Sequence, residues 1–293
     1  LWQVGWGYDV ASWSGSVAWR PAGSRTDRLP ATDTGMDTPP SNRSSTPPEL
    51  LATVVVPTYN ERENLRALAE RLFAAVDREQ VELLIVDDDS PDGTAALAAE
   101  LAERYPVRCI VRRGERGLAT AVIRGLREAL GEFCVVMDAD LSHPPEAVPL
   151  LLDTIRDPEV DMVIGSRFVA GGRVDSDWPL HRRLNSWFAR LLARPLTPVR
   201  DMMAGFFCVR RAQLDLDRLR PVGYKIALEL IVRHRWKNVR EVPIAFADRV
   251  AGHTKLNMGE QLRYLRHLAR LYGWVLFGAN RARDVSASRP RRP

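Results

Sequence analysis

From Leu51 onward the chain repeats one unit, a short apolar run rich in β-branched residues followed by apolar residues at helical spacing. "LATVVVPTYN" leads into "ENLRALAERLFAAV", "VELLIVDDDS" into "GTAALAAELAERY", and "VRCIVRR" into "GLATAVIRGLREAL". "EFCVVMDAD" then leads into "PEAVPLLLDTI", and "VDMVIGSRF" supplies a further strand. Strands and helices alternating at these lengths predict an α/β fold with a doubly wound, mostly parallel sheet. Ligands of such sheets bind outside the carboxyl ends of the strands. Asp87, Asp88, Asp138 and Asp140 fall there.

Beyond about residue 178 the rhythm loosens. "WPLHRRLNSWFARLLARPL" reads as an amphipathic helix over about 178–194, with Leu184, Trp187, Phe188, Leu191 and Leu192 opposed by arginines. "GEQLRYLRHLARLYGWVLFG" reads as a second, over 258–279, and 280–293 as a basic tail. Residues 1–49, rich in Ser, Thr, Pro and Gly with scattered tryptophans, are expected to be a disordered leader. The folded unit is expected over 50–257. No stretch reaches the roughly 18 to 20 apolar residues that a membrane-spanning helix requires. Cys109, Cys134 and Cys208 lack metal-ligand spacing and read as buried thiols.

Charge is divided along the chain. Residues 51–177 hold 14 Lys/Arg against 24 Asp/Glu, whereas 178–280 hold 19 against 7. A basic half of this kind suits an anionic surface or is a solvated exterior.

The turn after the first strand, Pro57-Thr58-Tyr59-Asn60, lacks the glycines of a dinucleotide fingerprint, and no Gly-Lys-Ser/Thr phosphate loop occurs. Acids at strand ends point instead to a divalent cation, Mg²⁺ or Mn²⁺, bridging protein carboxylates to a diphosphate. Asp138 and Asp140, one residue apart on an extended chain, face the same way. The competing reading is that they only cap the helix near Pro144 or Pro145.

"VVVPTYNERENL", "VDDDSPDGT", "RRGERGLATAVIRG", "MDADLSHPPE", "IGSRFVAGG", "GYKIALEL" and "DRVAGHTKL" follow in this order. Together they resemble the family-2 glycosyltransferases of GT-A fold, and within them the dolichol- or polyprenol-phosphate mannose synthases. The resemblance runs from about Thr53 to Leu256 and more weakly to Gly278. It implies mannose transfer from GDP-mannose to dolichyl or polyprenyl phosphate with inversion, at the cytoplasmic face of a membrane, with or without a small membrane-anchoring subunit. It further implies that Pro57, Tyr59 and Glu61 contact guanosine, and that Val86 and Asp88 hold base and ribose. Asp138, Ala139 and Asp140 would meet ribose and diphosphate, with Asp140 the main metal ligand. Arg167, Arg249 and Lys255 would clamp phosphate charge, and Arg182 and Ser186 would bind the lipid phosphate. Ser142 stands where some relatives carry Gln as second metal ligand. Asp89 and Met203 also depart from the family pattern.

The acceptor that the resemblance implies is a phosphate, already anionic, so no general base would be required. His143 is expected to fix the turn before Pro144, and His181, His234, His253 and His267 to lie on surfaces. Glu229, inside an apolar helix, is expected to pair with an Arg or Lys. For Trp187, Trp274 and Phe277, core packing and membrane contact both remain open. The rival readings are a sister enzyme moving glucose or an aminosugar, a nucleic-acid-binding protein, and a scaffold with a degenerate site. The second lacks a recognition motif, so nucleic acid is not an expected partner.

Overall fold

The computed structural model describes residues 50–175, 180–220, 225–247 and 258–278, with no side-chain description over 175–186. The sequence-predicted leader (1–49) and basic tail (280–293) lie outside the described residues.

In chain order the elements are β1 (Ala52–Thr58), α1 (Arg62–Ala75), β2 (Val81–Asp87), α2 (Thr94–Ala102), β3 (Val107–Val111) and α3 (Leu118–Glu128). Then come β4 (Phe133–Val136), α4 (Val148–Ile155), β5 (Met162–Ser166), β6 (Arg173–Asp175) and α5 (Leu180–Ala193). The rest comprises β7 (Phe207–Arg210), α6 (Ile226–His234), β8 (Val239–Pro243), β9 (Ala245–Ala247) and α7 (Met258–Gly273), which ends in a π-helical turn, Trp274–Gly278.

Seven strands form one sheet in the order β3-β2-β1-β4-β7-β5-β8, and β6 pairs with β9 in a small second sheet. The β1–β2, β2–β3, β1–β4 and β5–β8 pairs are parallel. Only β7 runs against its neighbours, β4 and β5. The sequence pattern does not disclose β7, β8 or the direction of β7, because strand direction is set by where the returning chain enters the sheet.

Helices cover both faces, so β1 and β2 are buried along their whole length and read as unbroken apolar runs. Alternate side chains separate cleanly. Val54 and Val56 pack with Leu65, Leu68 and Leu151 of α1 and α4, whereas Val55 packs on the other face with Val122 and Leu126 of α3. Gly125 lets α3 ride low on that face: a Cβ there would lie 2.2 Å from Val55 Cγ1.

The chain leaves β1 outward to β2 and β3, then crosses back to the far side of β1 for β4. In doubly wound sheets ligands sit outside the carboxyl ends of the strands at such a reversal, in the crevice expected here between β1 and β4.

Candidate active site

The segment after β4 builds the centre of the site. Met137 N–H still reaches Val55 O at 3.2 Å, so the chain leaves the sheet only at Asp138. Leu141 then takes φ +61, a left-handed conformation that costs a non-glycine residue about 1–2 kcal/mol. The bend brings Ser142 back onto Asp140, whose Oδ1 accepts from Ser142 N–H (3.1 Å) and Ser142 Oγ–H (2.6 Å). Asp140 is buried, while the Asp138 side chain is one-third exposed. The N-cap positions of the following 3₁₀ turn and of α4 are Pro144 and Ala147, with no side-chain cap bond at either, so neither acid is a helix cap.

His143 braces this bend. Its Nδ1 accepts from the main-chain N–H of Asp138 at 3.1 Å, which places the ring proton on Nε2. The ring is buried, stacked on Phe206 (5.4 Å) and edge-on to Phe246 of β9 (5.6 Å). Burial holds the imidazole below its usual pKa, against the raising fields of Asp138 and Asp140. A neutral histidine with Nδ1 engaged is a strut, as the sequence reading expects. Gly205 passes against the same group, where a Cβ would lie 3.3 Å from His143 Cε1 and 3.4 Å from Asp138 Oδ2. β9 closes the other side, with Ala247 N–H donating to Ser142 O at 3.2 Å.

The loops after β1, β2 and β3 form the adjoining wall. Asp87 locks the first two together, accepting from Thr58 Oγ1 (2.9 Å), Ser90 N (2.8 Å) and Ser90 Oγ (2.6 Å). Glu61 Oε2 accepts from Asn64 Nδ2 at 2.7 Å, and its main-chain N–H meets Thr94 Oγ1 at 3.1 Å. Pro57 is a buried β1 residue and Tyr59 is 39% exposed, under the Arg116 guanidinium at 4.6 Å from its ring centroid. Asp88 is buried with Arg112: Oδ1 accepts from Nε (2.8 Å) and Nη2, and Oδ2 from Gly117 N–H (2.8 Å). A carboxylate offers about four acceptor positions, so Oδ2 retains capacity for one further donor. Val86 and Ala139 turn their side chains into the core, which leaves their main chains to meet a ligand.

Arg167, at the end of β5, is held by a residue that the sequence reading does not single out. Asp201, fully buried, accepts from Arg167 N (3.0 Å), Nε (2.8 Å) and Nη2 (2.7 Å). Asp201 N–H in turn donates to Glu241 of β8 at 2.9 Å. Arg112 stands in a charged run and Asp201 follows Arg200 directly, so nothing in the local sequence marks either as buried. Arg249 and Lys255 lie outside the described residues. Arg182 and Ser186 lie on α5, with side chains outside what is described.

α5 and α7 are tied together at two points: Tyr264 O–H donates to Ala189 O (2.7 Å) and Tyr272 O–H to Leu192 O (2.6 Å). Both expose large apolar side chains, Trp187, Phe188 and Leu191 on one and Leu262 and Leu265 on the other, and Leu276 and Phe277 follow in the π-helical turn. Core packing is therefore not the role of Trp187 or Phe277, which are 56% and 76% exposed. Trp274 is half-buried, with Arg233 and Arg235 over its ring. His267 is not on the surface. It is buried on α7 with Nε2 2.9 Å from Glu229 Oε2 of α6, and Arg233 Nε lies 3.2 Å from Oε1. His234 is half-buried, stacked on Trp236.

A doubly wound sheet whose reversal point carries paired aspartates, with no glycine cradle, is the arrangement expected of a glycosyltransferase of GT-A fold. The family model described as "Glycosyl transferase family 2" matches residues 53–216, and the chain belongs to that family. It is 42% identical over 240 residues to the dolichol-phosphate mannosyltransferase of Saccharomyces cerevisiae, covering 78% of this chain and 89% of that one. It is 43% identical over 240 residues to that of Mycosarcoma maydis, covering 78% and 80%. It is 44% identical over 226 residues to that of Pyrococcus furiosus, covering 76% of this chain but only 64% of the relative's length. Among solved structures, glucosyl-3-phosphoglycerate synthase from Mycobacterium tuberculosis, in complex with Mn²⁺, uridine diphosphate and glucosyl-3-phosphoglycerate, superposes with TM-score 0.58 at 20% identity. The match covers 76% of this chain and 79% of that one and speaks to the fold alone.

Proposed function

We propose that this glycosyltransferase moves mannose from GDP-mannose to the phosphate of a dolichyl or polyprenyl lipid, inverting the anomeric centre to give a β-linked mannosyl phosphate. The observation that carries the reading is the 42–44% identity to dolichol-phosphate mannosyltransferases over about three-quarters of the chain.

The donor would lie across the crevice between β1 and β4. Pro57, Tyr59 and Glu61 would flank guanosine, with the main chain of Val86 beside them, and Asp88 would use its remaining acceptor capacity on ribose. Asp138, the main chain of Ala139, and Asp140 would face ribose and diphosphate. Among the described residues no group of three or more His, Cys, Asp or Glu is arranged to hold a metal ion. Two carboxylates suit a hard cation that completes its sphere with water and substrate phosphate, which fits Mg²⁺ or Mn²⁺. Asp140 would be its principal ligand, with Ser142 holding that carboxylate by the hydrogen bonds described or joining the sphere itself. The bound cation supplies neutralisation of charge as GDP departs.

The chain's own groups do the rest. Arg167, Arg249 and Lys255 would add positive charge where the diphosphate gains negative charge. Two of the three guanidinium nitrogens of Arg167 already serve Asp201, which leaves Nη1 for a phosphate. The acceptor oxygen is anionic near neutral pH and attacks the anomeric carbon in line, as the bond to GDP breaks. No base is needed, in keeping with a His143 whose Nδ1 is engaged. Arg182 and Ser186, four apart on one face of α5, would grip the lipid phosphate.

A lipid acceptor stays in its bilayer, so the enzyme must approach the surface. The apolar and arginine-bearing faces of α5 and α7 support peripheral attachment at the cytoplasmic face, where each Lys or Arg contributes about 1 kcal/mol. No described helix is long and apolar enough to cross a membrane. An anchoring subunit would be compatible with this arrangement.

The test is to incubate the protein with polyprenyl phosphate, Mg²⁺ or Mn²⁺ and each labelled sugar nucleotide, and to follow label into the organic phase. Label from GDP-mannose is expected, with loss on chelation. Transfer from a glucose or aminosugar donor instead would replace mannose by the sister activity.

A further inference from the structure

Arg116 lies outside every role assigned so far. It belongs to the loop between β3 and α3, in the run Arg112-Arg113-Gly114-Glu115-Arg116. Its neighbour Arg112 is consumed within the protein: it holds Asp88, Thr120 Oγ1 (3.0 Å), Glu115 Oε2 (3.3 Å) and Gly117 O (3.2 Å). Arg116 by contrast is exposed, makes no ion pair among the described residues, and sits over the Tyr59 ring.

The topology says what would reach it. β1, β2, β3 and β4 are parallel neighbours, so their carboxyl-end loops share one edge of the sheet. From the acids after β4 to the loop after β3 is three strand spacings, about 14 Å. Arg116 reaches back along this edge to Tyr59 of the loop after β1, the neighbour of β4, so a nucleoside diphosphate whose phosphates meet Asp138 and Asp140 and which extends along the edge brings its base beside Tyr59 and Arg116. A guanidinium stacks through its face and donates through its edge, so Arg116 can rest on Tyr59 and still offer paired N–H groups outward. Guanine is the base that answers this edge, because O6 and N7 are adjacent acceptors. Adenine presents an amino donor beside N7, and uracil has no such pair.

The geometry points to Arg116 as the residue that selects the donor's base, reading guanine O6 and N7 while Tyr59 holds its guanidinium in place. The inference deepens the donor reading above and rests on it.

Isothermal titration of the full chain, in Mg²⁺, with GDP, ADP, UDP and 7-deaza-GDP tests it in wild type, Arg116→Ala and Arg116→Lys. Wild type prefers GDP and binds 7-deaza-GDP, which lacks the N7 acceptor, more weakly. Arg116→Ala loses roughly ten- to a hundredfold in GDP affinity. Its ADP and UDP affinities hold, and the penalty for 7-deaza-GDP disappears. Arg116→Lys, without the fork, keeps charge but recovers little of the preference. Equal losses for all nucleotides would reveal a phosphate contact and overturn the inference, as would an unchanged GDP preference in Arg116→Ala. A wild type with no preference for GDP overturns the donor reading together with the inference. Arg116 is exposed, so its replacement leaves the core intact, and an unchanged Tm verifies this.

Discussion

Arg167 and Asp201 offer a direct test of how the site is held in shape. Asp201 is fully buried and the Arg167 side chain is 12% exposed. Three hydrogen bonds join them, two from the guanidinium and one from the main chain. Arg167→Met leaves a buried carboxylate with that main-chain N–H, and Asp201→Leu leaves a nearly buried cation facing apolar atoms. Removing one partner of such a pair costs about 3–5 kcal/mol. For a folded unit of this size each kcal/mol shifts Tm by about 2–4 °C, so each single variant should melt roughly 6–20 °C lower. In the double variant both charges are gone and the volume is roughly preserved, which is often near neutral for a buried pair. Urea unfolding of the four proteins gives the coupling energy; with each single variant costing about 3–5 kcal/mol and the double near neutral, it is expected at about 6–10 kcal/mol in favour of the double variant. Additive losses within about 0.5 kcal/mol would mean that the two side chains do not depend on each other, and the pair would lose its structural role.

Asp140→Ala should abolish sugar transfer and Mn²⁺ binding measured by titration in the presence of GDP; retained turnover would remove Asp140 from the metal site. Arg182→Ala should lower acceptor-side kcat/KM by roughly ten- to a hundredfold, through loss of a charge-assisted hydrogen bond, while GDP affinity holds. Burial raises the Glu229 pKa, but the His267 contact, the Arg220 N–H and the charges of His267 and Arg233 outweigh it, and the carboxyl ends below its ordinary 4.5. Its contribution to stability is therefore present above pH 4.5 and lost as pH falls through the lowered folded value. Glu229→Gln should be less stable at neutral pH and flatter in a plot of unfolding free energy below pH 4.5. Gly125→Ala places a methyl 2.2 Å from Val55 Cγ1 and should cost about 1–3 kcal/mol by overpacking, read as a lowered Tm.

The alternation of apolar runs and helical segments, written locally in residues 51–166, determined the α/β class and put Asp88, Asp138 and Asp140 at strand ends. Motif order carried the family, since each motif is a contiguous word. The helical spacing over 178–194 likewise marked α5, because an amphipathic period needs only near neighbours. Partners across the fold were not legible. Asp201 lies 34 residues from Arg167, Glu229 lies 38 from His267, and Arg116 meets Tyr59 across three strand-end loops. The direction of β7 and the place of β9 against the acid bend were equally hidden, since four or three residues hold too little pattern to name a neighbour. A charge that the fold buries requires a partner, because burying it alone costs several kcal/mol. Which charge answers it is decided only when the sheet brings distant loops to one edge.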